Sequence, residues 1–308
     1  MVRSSAPGKI ILFGEHAVVY GRPALAVPVN QIQAVAEVAA SARPGVWIKA
    51  PGIGLAAEYA SLEPGHPLRA VIDNVRSYMG ITTLPPLNLK VTSSIPVASG
   101  LGSGAAVSVA LIRALVEYLG SSLSEEQVSM LAYEVEKIHH GTPSGIDNTV
   151  IAFARPVYFI KGRTVETFQA GNPFTLVIAD TGFPAPTRES VSDVRRLWQK
   201  DPDKWNSVFD SIGQIAARAR KCIRSGKWQE LGPLMDRNHA LLVKLTVSSP
   251  GLDTLVQAAR QAGALGAKLS GGGRGGNCIA LVDPGKAKDI EQAMLAAGAR
   301  HTITTIID

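Results

Sequence analysis

Four stretches of this chain carry residue types that do chemistry when brought together. Lys9 follows Pro7-Gly8 and precedes an apolar run, Ile10 to Phe13, which leads into Gly14-Glu15-His16. Residues 96–110, PVASGLGSGAAVSVA, set Gly100, Gly102 and Gly104 within five positions and pass directly into a helical pattern. Glu136 and Asp147 stand in EKIHHGTPSGID, and Lys268 to Gly276, KLSGGGRGG, places five glycines in six positions. Glycine tolerates φ > 0 and close approach of a ligand, and a helix N-terminus offers N–H donors and a positive dipole end. The two together bind anions, most commonly a nucleotide phosphate. The second stretch is no Walker A loop, because no Gly-Lys-Ser/Thr closes it, and its glycine spacing is not that of a Rossmann fingerprint. Taken alone, each feature also has a plain structural reading. The glycine turn serves as a connection, Lys9 as a solvated strand-end charge and Asp147 as a turn or cap residue.

The elements that must position these residues follow from periodicity. Residues 10–13 read as a buried strand, and 24–29 and 33–38 as two more, with Pro28 marking a bend or bulge. Strands follow at 46–50 and 87–91, with a helix over 66–79 between them. A helix runs from the glycine loop to a C-cap at Gly120, and Ser124 to Gln127 is a capping box opening a helix to about His139. Glu136 lies on the border of that helix's apolar stripe, and the turn after it fixes the direction of Asp147. The adjacent His139 and His140 point about 100° apart on a helix and cannot chelate one ion together, which favours structural roles. Character changes near residue 171. A strand at 175–179, helices at 188–199, 203–225, 227–244 and 251–262, a strand at 278–282, a helix at 286–297 and a strand at 301–307 complete an α+β pattern. Two domains are expected, 1–170 and 171–308.

Composition narrows the function classes. A chain of 308 residues can bury two cores, and 46% hydrophobic with 18% charged residues fits a compact soluble enzyme. The net charge of +6 is scattered, without a basic run or nucleic-acid signature, so an attraction for small anions explains it better than nucleic-acid binding. Cys222 and Cys278 are far apart and show no metal or disulfide spacing, implying a reduced compartment or simple burial. The first apolar run is too short for a signal peptide, and no stretch reaches the ~18 apolar residues of a membrane span. A cytoplasmic protein is expected, with no membrane or nucleic-acid partner.

The motifs, in this order, resemble those of the GHMP kinase family, and within it the mevalonate kinases. PGKIILFGEHAVVYG is similar to the family's first motif, PVASGLGSGAAVSVA to its second, and KLSGGGRGGNC to its third. The resemblance implies a ribosomal-protein-S5-like N-terminal domain, a ferredoxin-like C-terminal domain, and ATP and Mg²⁺ as co-reactants. It implies phosphorylation of the primary hydroxyl of mevalonate, with a homodimer as the common assembly. It assigns Asp147 as the base and Lys9 as the cation beside it. Pro96, Ser99, Gly100, Leu101, Gly102, Ser103, Gly104, Ala105 and Ala106 become the nucleotide loop. Glu15, His16, Thr187 and Arg188 fall to the substrate, and Glu136 with Ser103 to the metal. Gly104 departs from the family's second serine, whose hydroxyl contacts magnesium, leaving Ser103 or a water to replace it. Arg274 and Asn277 also depart from the family's glycine and cysteine. Arg274 is left to touch a phosphate or face water, the second being favoured. The alternatives are another kinase of the family (phosphomevalonate, mevalonate 3- or homoserine kinase) or a non-catalytic nucleotide and ligand sensor.

Overall fold

The computed structural model describes residues 1–96, 99–140 and 143–308, with backbone only at 139 and 140. Val97, Ala98, Gly141, Thr142 and the two histidine side chains considered above lie outside the described residues. Two compact units share the chain. One holds Met1–Gly8, Ile32–Pro96 and Gly102–Ala154; the other holds Lys9–Gln31, Ser99–Leu101 and Arg155–Asp308.

The strands β1 (Val2–Phe13) and β2 (Ala24–Ala40) run through both units. The two short runs expected at 24–29 and 33–38 are one strand, with Pro28 inside it. Its ladder with β5 covers Ala34 to Ala40 and its ladder with β6 covers Ala24 to Ala26. Pro28 falls between the two, where its missing N–H costs no bond to either strand. Burial changes along β2 accordingly: Ala24 to Val29 are buried throughout, whereas Ile32 to Val38 alternate buried and half-buried.

In the first unit, β3 (Val46–Ala50) pairs antiparallel with β4 (Leu55–Glu58) and parallel with β5 (Leu87–Ser93), which pairs with the second half of β2. The helices are α1 (Pro67–Met79), α2 (Ser103–Tyr118), α3 (Glu125–His140) and α4 (Ile146–Phe153), and α2, α3 and α4 pack on one another. The capping box forms as read. Ser124 Oγ accepts from Gln127 N–H at 3.3 Å, and Gln127 Oε1 accepts from Ser124 N–H at 2.8 Å.

In the second unit, β6 (Val157–Phe159) joins β7 (Glu166–Thr167) to the first half of β2. A four-stranded antiparallel sheet follows, from β8 (Phe174–Asp180), β9 (Gly266–Ser270), β10 (Asn277–Val282) and β11 (His301–Ile307), in the order β11-β8-β10-β9. With α9 (Ala287–Ala296) between the last two strands, this is the β-α-β-β-α-β ferredoxin-like arrangement. Its first crossover is enlarged to α5 (Thr187–Lys200), α6 (Pro202–Arg224), α7 (Leu231–Lys244) and α8 (Pro250–Gln261). The helix expected from 227 begins as a 3-10 turn, Trp228–Glu230. One core serves these elements, with Phe209, Ile212, Leu242, Leu255, Val177 and Ile290 in it.

Two glycines let α7 lie directly on the edge of that sheet. A Cβ on Gly232 would fall 2.1 Å from Leu265 O, and one on Gly266 would fall 2.2 Å from Gly232 O. Neither obstacle is a flexible side chain, so the helix itself must move. Gly232→Ala is expected to cost about 3 kcal/mol in urea unfolding, the upper range for overpacking. Gly251→Ala, where a Cβ meets nothing within 4 Å, should change stability by less than about 1 kcal/mol.

Candidate active site

In the first unit the chemistry gathers at helix starts. Gly102 caps α2 in the left-handed region, φ 77°, and the first helical bond runs from Ala106 N–H to Gly102 O at 2.9 Å. The N–H groups of Ser103, Gly104 and Ala105 therefore precede the intrahelical ladder and are the orphan donors of a helix N-terminus. Ser103 is half-buried, Gly104 is exposed, and Ala105 and Ala106 are buried. Gly104 has no positive φ, and a Cβ there would sit at an ordinary 3.5 Å from Glu136 Oε1. The backbone does not require a glycine at this position, and the buried Glu136 carboxylate of α3 lies beside the first turn of α2.

Asp147 occupies the first turn of α4, and the local sequence fixes it there. Gly145 supplies the left-handed N-cap, φ 86°. Ser144 Oγ accepts from Ile146 N–H at 3.4 Å, and Thr149 Oγ1 donates to Gly145 O at 2.6 Å. Asn148 Nδ2 reaches into α3, donating to Ser129 O at 3.0 Å and Ser129 Oγ at 2.9 Å. The half-buried Asp147 is thus held between residues clamped on either side, and negative charge near a helix N-terminus is electrostatically favoured. Among the described residues there is no group of three or more His, Cys, Asp and Glu side chains able to hold a metal. A hard cation that keeps several waters needs only one or two protein oxygens, so the buried Glu136 carboxylate and Ser103 at the helix start fit Mg²⁺.

In the second unit, the end of β1 supports the glycine loop. Lys9 is buried, and its N–H donates to Leu101 O at 2.9 Å. Ser99 is buried, Gly100 is exposed with φ 78°, and Pro96, on the first unit, is half-buried. Glu15 follows β1 and forms a fully buried ion pair with Lys268 of β9. Lys268 Nζ also donates to Leu269 O at 2.6 Å, and Asn238 Nδ2 of α7 donates to the other Glu15 oxygen at 3.4 Å. Burial pushes the Lys268 ammonium below its ordinary range, and the Glu15 charge offsets this. Burial also pushes the neighbouring Cys278 thiol up to about 12, which makes it inert.

The third glycine run is a packing junction. A Cβ on Gly273 would lie 1.9 Å from Val247 O, one on Gly275 2.6 Å from Pro184 O, and one on Gly272 2.6 Å from Thr187 Oγ1. Arg274, with φ 61°, donates its N–H to Val247 O at 2.8 Å and its guanidinium to Asp193 of α5 at 2.6 Å. The solvent-facing reading favoured for Arg274 gives way to an ion pair. The guanidiniums of Arg274 and Arg196 hold the Asp193 carboxyl below its ordinary range. Thr187 and Arg188 open α5 and are exposed, and Arg188 lines a shallow depression with Glu189, Ser192, Asp193 and Arg196. Lys268, Asn238 and Asp193 receive no role from the sequence. The available signal is a pair of opposite charges, Glu15 and Lys268, each beside an apolar run.

His16 adopts φ 60°, and its Nε2 lies 3.1 Å from Gly272 O. A carbonyl only accepts, so Nε2 carries the proton and Nδ1 carries a lone pair, buried and without a partner among the described residues. Burial, with the Arg274 charge adding and the Gly272 hydrogen bond opposing, lowers the pKa to about 4. The folded protein therefore stays neutral at His16 while the unfolded chain takes a proton near pH 6.5, so stability falls as pH drops from 6.5 toward 4. The contribution is about 3 kcal/mol, and the buried His239 acts with the same sign. Urea unfolding at pH 7 and pH 4.5 should show a smaller loss in His16→Asn than in the parent protein. An equal loss removes His16 from this account.

Comparison with known proteins agrees with this organisation. The profile for the GHMP kinases N terminal domain matches residues 66–155, and that for GHMP kinases C terminal matches 219–300. A mevalonate kinase of Pyrococcus abyssi is 37% identical over 99% of this chain and 96% of its own length. The crystal structure of L. major mevalonate kinase in complex with R-mevalonate is similar at a TM-score of 0.86 and 29% identity, covering 100% of this chain and 96% of that one. The Methanococcus jannaschii mevalonate kinase has a TM-score of 0.87 at 25% identity, covering 99% and 98%. Among the described residues no helix is long and apolar enough to cross a membrane. The chain belongs to the GHMP kinase family, among its mevalonate kinases.

Proposed function

We propose that this chain transfers the γ-phosphoryl group of ATP to the primary C5 hydroxyl of mevalonate, giving 5-phosphomevalonate and ADP. The observation that carries the reading is similarity to mevalonate kinases, 37% identity over 99% of the chain, in a chain that keeps Lys9, Glu136, Asp147 and the glycine loop at a helix start. Phosphoryl transfer asks the protein mainly for positioning and electrostatics. The N–H groups at the start of α2 receive the ATP phosphates, with Pro96 and Ser99 to Ala106 as the loop. Mg²⁺, held by Glu136 and Ser103, supplies charge neutralisation on those phosphates when bound. As the C5 oxygen bonds to phosphorus and the bond to the ADP oxygen breaks, the hydroxyl proton passes to Asp147. Lys9 stabilises the charge on the attacking oxygen.

His16, neutral with an acceptor Nδ1, lines the substrate together with Thr187 and Arg188. Glu15 serves that site through its ion pair with Lys268. The same reading takes 1–170 as the nucleotide-binding part, 171–308 as the C-terminal part, and a cytoplasmic homodimer as the working form.

ADP release with ATP and Mg²⁺ across mevalonate, phosphomevalonate, homoserine and galactose tests the reading. Turnover with mevalonate and a 5-phosphorylated product supports it, and turnover confined to another substrate replaces it. Absence of turnover with every substrate favours a sensor. Asp147→Asn should fall below a few per cent of parent activity while ATP binding stays within about twofold, as befits loss of a general base. Retained activity takes the base role from Asp147. Lys9→Met should lower kcat by roughly a hundredfold or more with little change in KM for ATP. Gly104→Ser, whose Cβ has room beside Glu136, should lower the Mg²⁺ concentration for half-maximal rate; an unchanged titration denies that position a metal role.

A further inference from the structure

The third glycine motif ends in Asn277, a residue that none of the roles above absorbs. It opens β10 opposite Asp180 on one side and Ser270 on the other, and it is 2% exposed. Its Nδ2 donates to the carbonyl oxygen of Ser99, in the glycine loop. Its Oδ1 is buried and finds no donor among the described residues. A half-satisfied buried amide is a poor choice for stability, because an apolar residue of similar size avoids the desolvation cost. The residue therefore answers to a demand other than stability.

That demand is read from the loop. A trans peptide holds the C=O of one residue and the N–H of the next in one plane, pointing in opposite directions. With the Ser99 carbonyl turned to Asn277, the Gly100 N–H is turned away from it. With the Leu101 carbonyl turned to Lys9 N–H at 2.9 Å, the Gly102 N–H is likewise turned away from β1. Two anchors, one on each side of Gly100, thus fix two loop donors in direction. The anchor on Leu101 is main chain and available to any residue at position 9 except proline. The anchor on the Ser99 carbonyl comes from a side chain, that of Asn277. Gly100 completes the arrangement, since φ 78° suits glycine and a Cβ there would stand 3.6 Å from Asn277 Nδ2.

We infer that Asn277 is a positioning residue for the nucleotide: it orients the Ser99–Gly100 peptide so that the Gly100 N–H is presented to a phosphate of ATP. This rests on the glycine loop being the ATP site, as proposed above. Asn277→Ala removes the anchor, Asn277→Asp keeps the shape but sets an acceptor against the Ser99 carbonyl, and Asn277→Ser keeps a shorter donor. In Asn277→Ala, KM and the equilibrium Kd for ATP with Mg²⁺ should rise roughly tenfold, the scale of one hydrogen bond to a charged group. KM for mevalonate should stay within about twofold. Asn277→Asp should weaken ATP binding more than alanine does, and Asn277→Ser less.

A merely structural role lowers Tm and the active fraction, and so kcat, while leaving both KM values in place. That pattern overturns the inference, as does ATP binding within twofold of the parent in all three variants. Should alanine fail to fold, ATP affinity in the aspartate and serine variants decides: a weaker aspartate supports the inference, and equal affinities overturn it. Parent protein that binds no ATP sinks the nucleotide-loop reading itself, a result distinct from parent binding that the variants leave unchanged.

Discussion

The second unit depends on one buried ion pair. Glu15 and Lys268 are both out of water, and neither charge could remain there alone without a penalty of several kcal/mol. The pair draws the end of β1 onto β9, and Asn238 brings α7 to the same point. Just before Glu15, Gly14 turns at φ 96°, and only glycine fits there because a side chain would strike Ala24 and Pro23. His16 follows with its own positive φ, which delivers its ring to Gly272. The Gly272 carbonyl sets the tautomer: Nε2 is committed to it, and Nδ1 becomes the acceptor. The pair is costly to break and of modest net worth when intact, which suits a device for fixing geometry.

The two glycine-rich stretches look alike in composition and differ in physics. In the run from Gly271 to Gly276, proximity is added to conformation: Gly271, Gly273 and Gly276 have positive φ, and main chain from Val247 and Pro184 and the start of α5 lie where Cβ atoms of Gly273, Gly275 and Gly272 would be. At Gly100 and Gly102 the reason is conformation, a left-handed backbone, and at Gly100 it stands beside space that a Cβ could occupy. The first kind builds a junction holding α5 and the loop after β8 to the sheet, helped by Arg274 on Asp193. The second kind aims peptide groups. The residue joining them is Asn277, whose main chain begins β10 and whose side chain holds Ser99.

Elements set by local chemistry are legible in the sequence. The Ser124 capping box, the glycine-to-helix transition at Ser103 and the strands and helices expected after 171 stand where periodicity puts them, to within a few residues, while β9 is absent from that expected series. What escapes depends on partners remote in sequence. A proline within an apolar run signals a break, yet β2 continues through Pro28, which lies outside its ladders with β5 and β6. The helix α4 has only eight residues, rich in β-branched side chains and headed by glycine, and it is held by burial of Ile146, Val150 and Ile151 and by Asn148 reaching Ser129. Strands as short as β6 and β7 carry no period to detect. The Glu15–Lys268 pair spans 253 positions, which no window of local pattern covers. The candidate site residues are named through family resemblance. Geometry adds how some of them are held, Glu15 by its ion pair with Lys268 and His16 by the Gly272 carbonyl.

Gly104 shows how a departure from a motif can be absorbed. Helix starts tolerate glycine better than helix interiors do, so the loss of a side chain one residue into α2 costs little propensity. The chain geometry does not demand the glycine, because φ is ordinary and a Cβ would touch Glu136 Oε1 only at 3.5 Å. What is removed is therefore a hydroxyl, with the space it would fill left beside a buried carboxylate. A hard cation retaining most of its hydration can place a water in such a space and keep its coordination number. Charge is harder to substitute than a neutral oxygen, since a water carries none. On the proposed metal reading, the demand within this unit falls on Glu136, whose buried carboxylate beside the first turn of α2 carries a charge that solvent cannot replace.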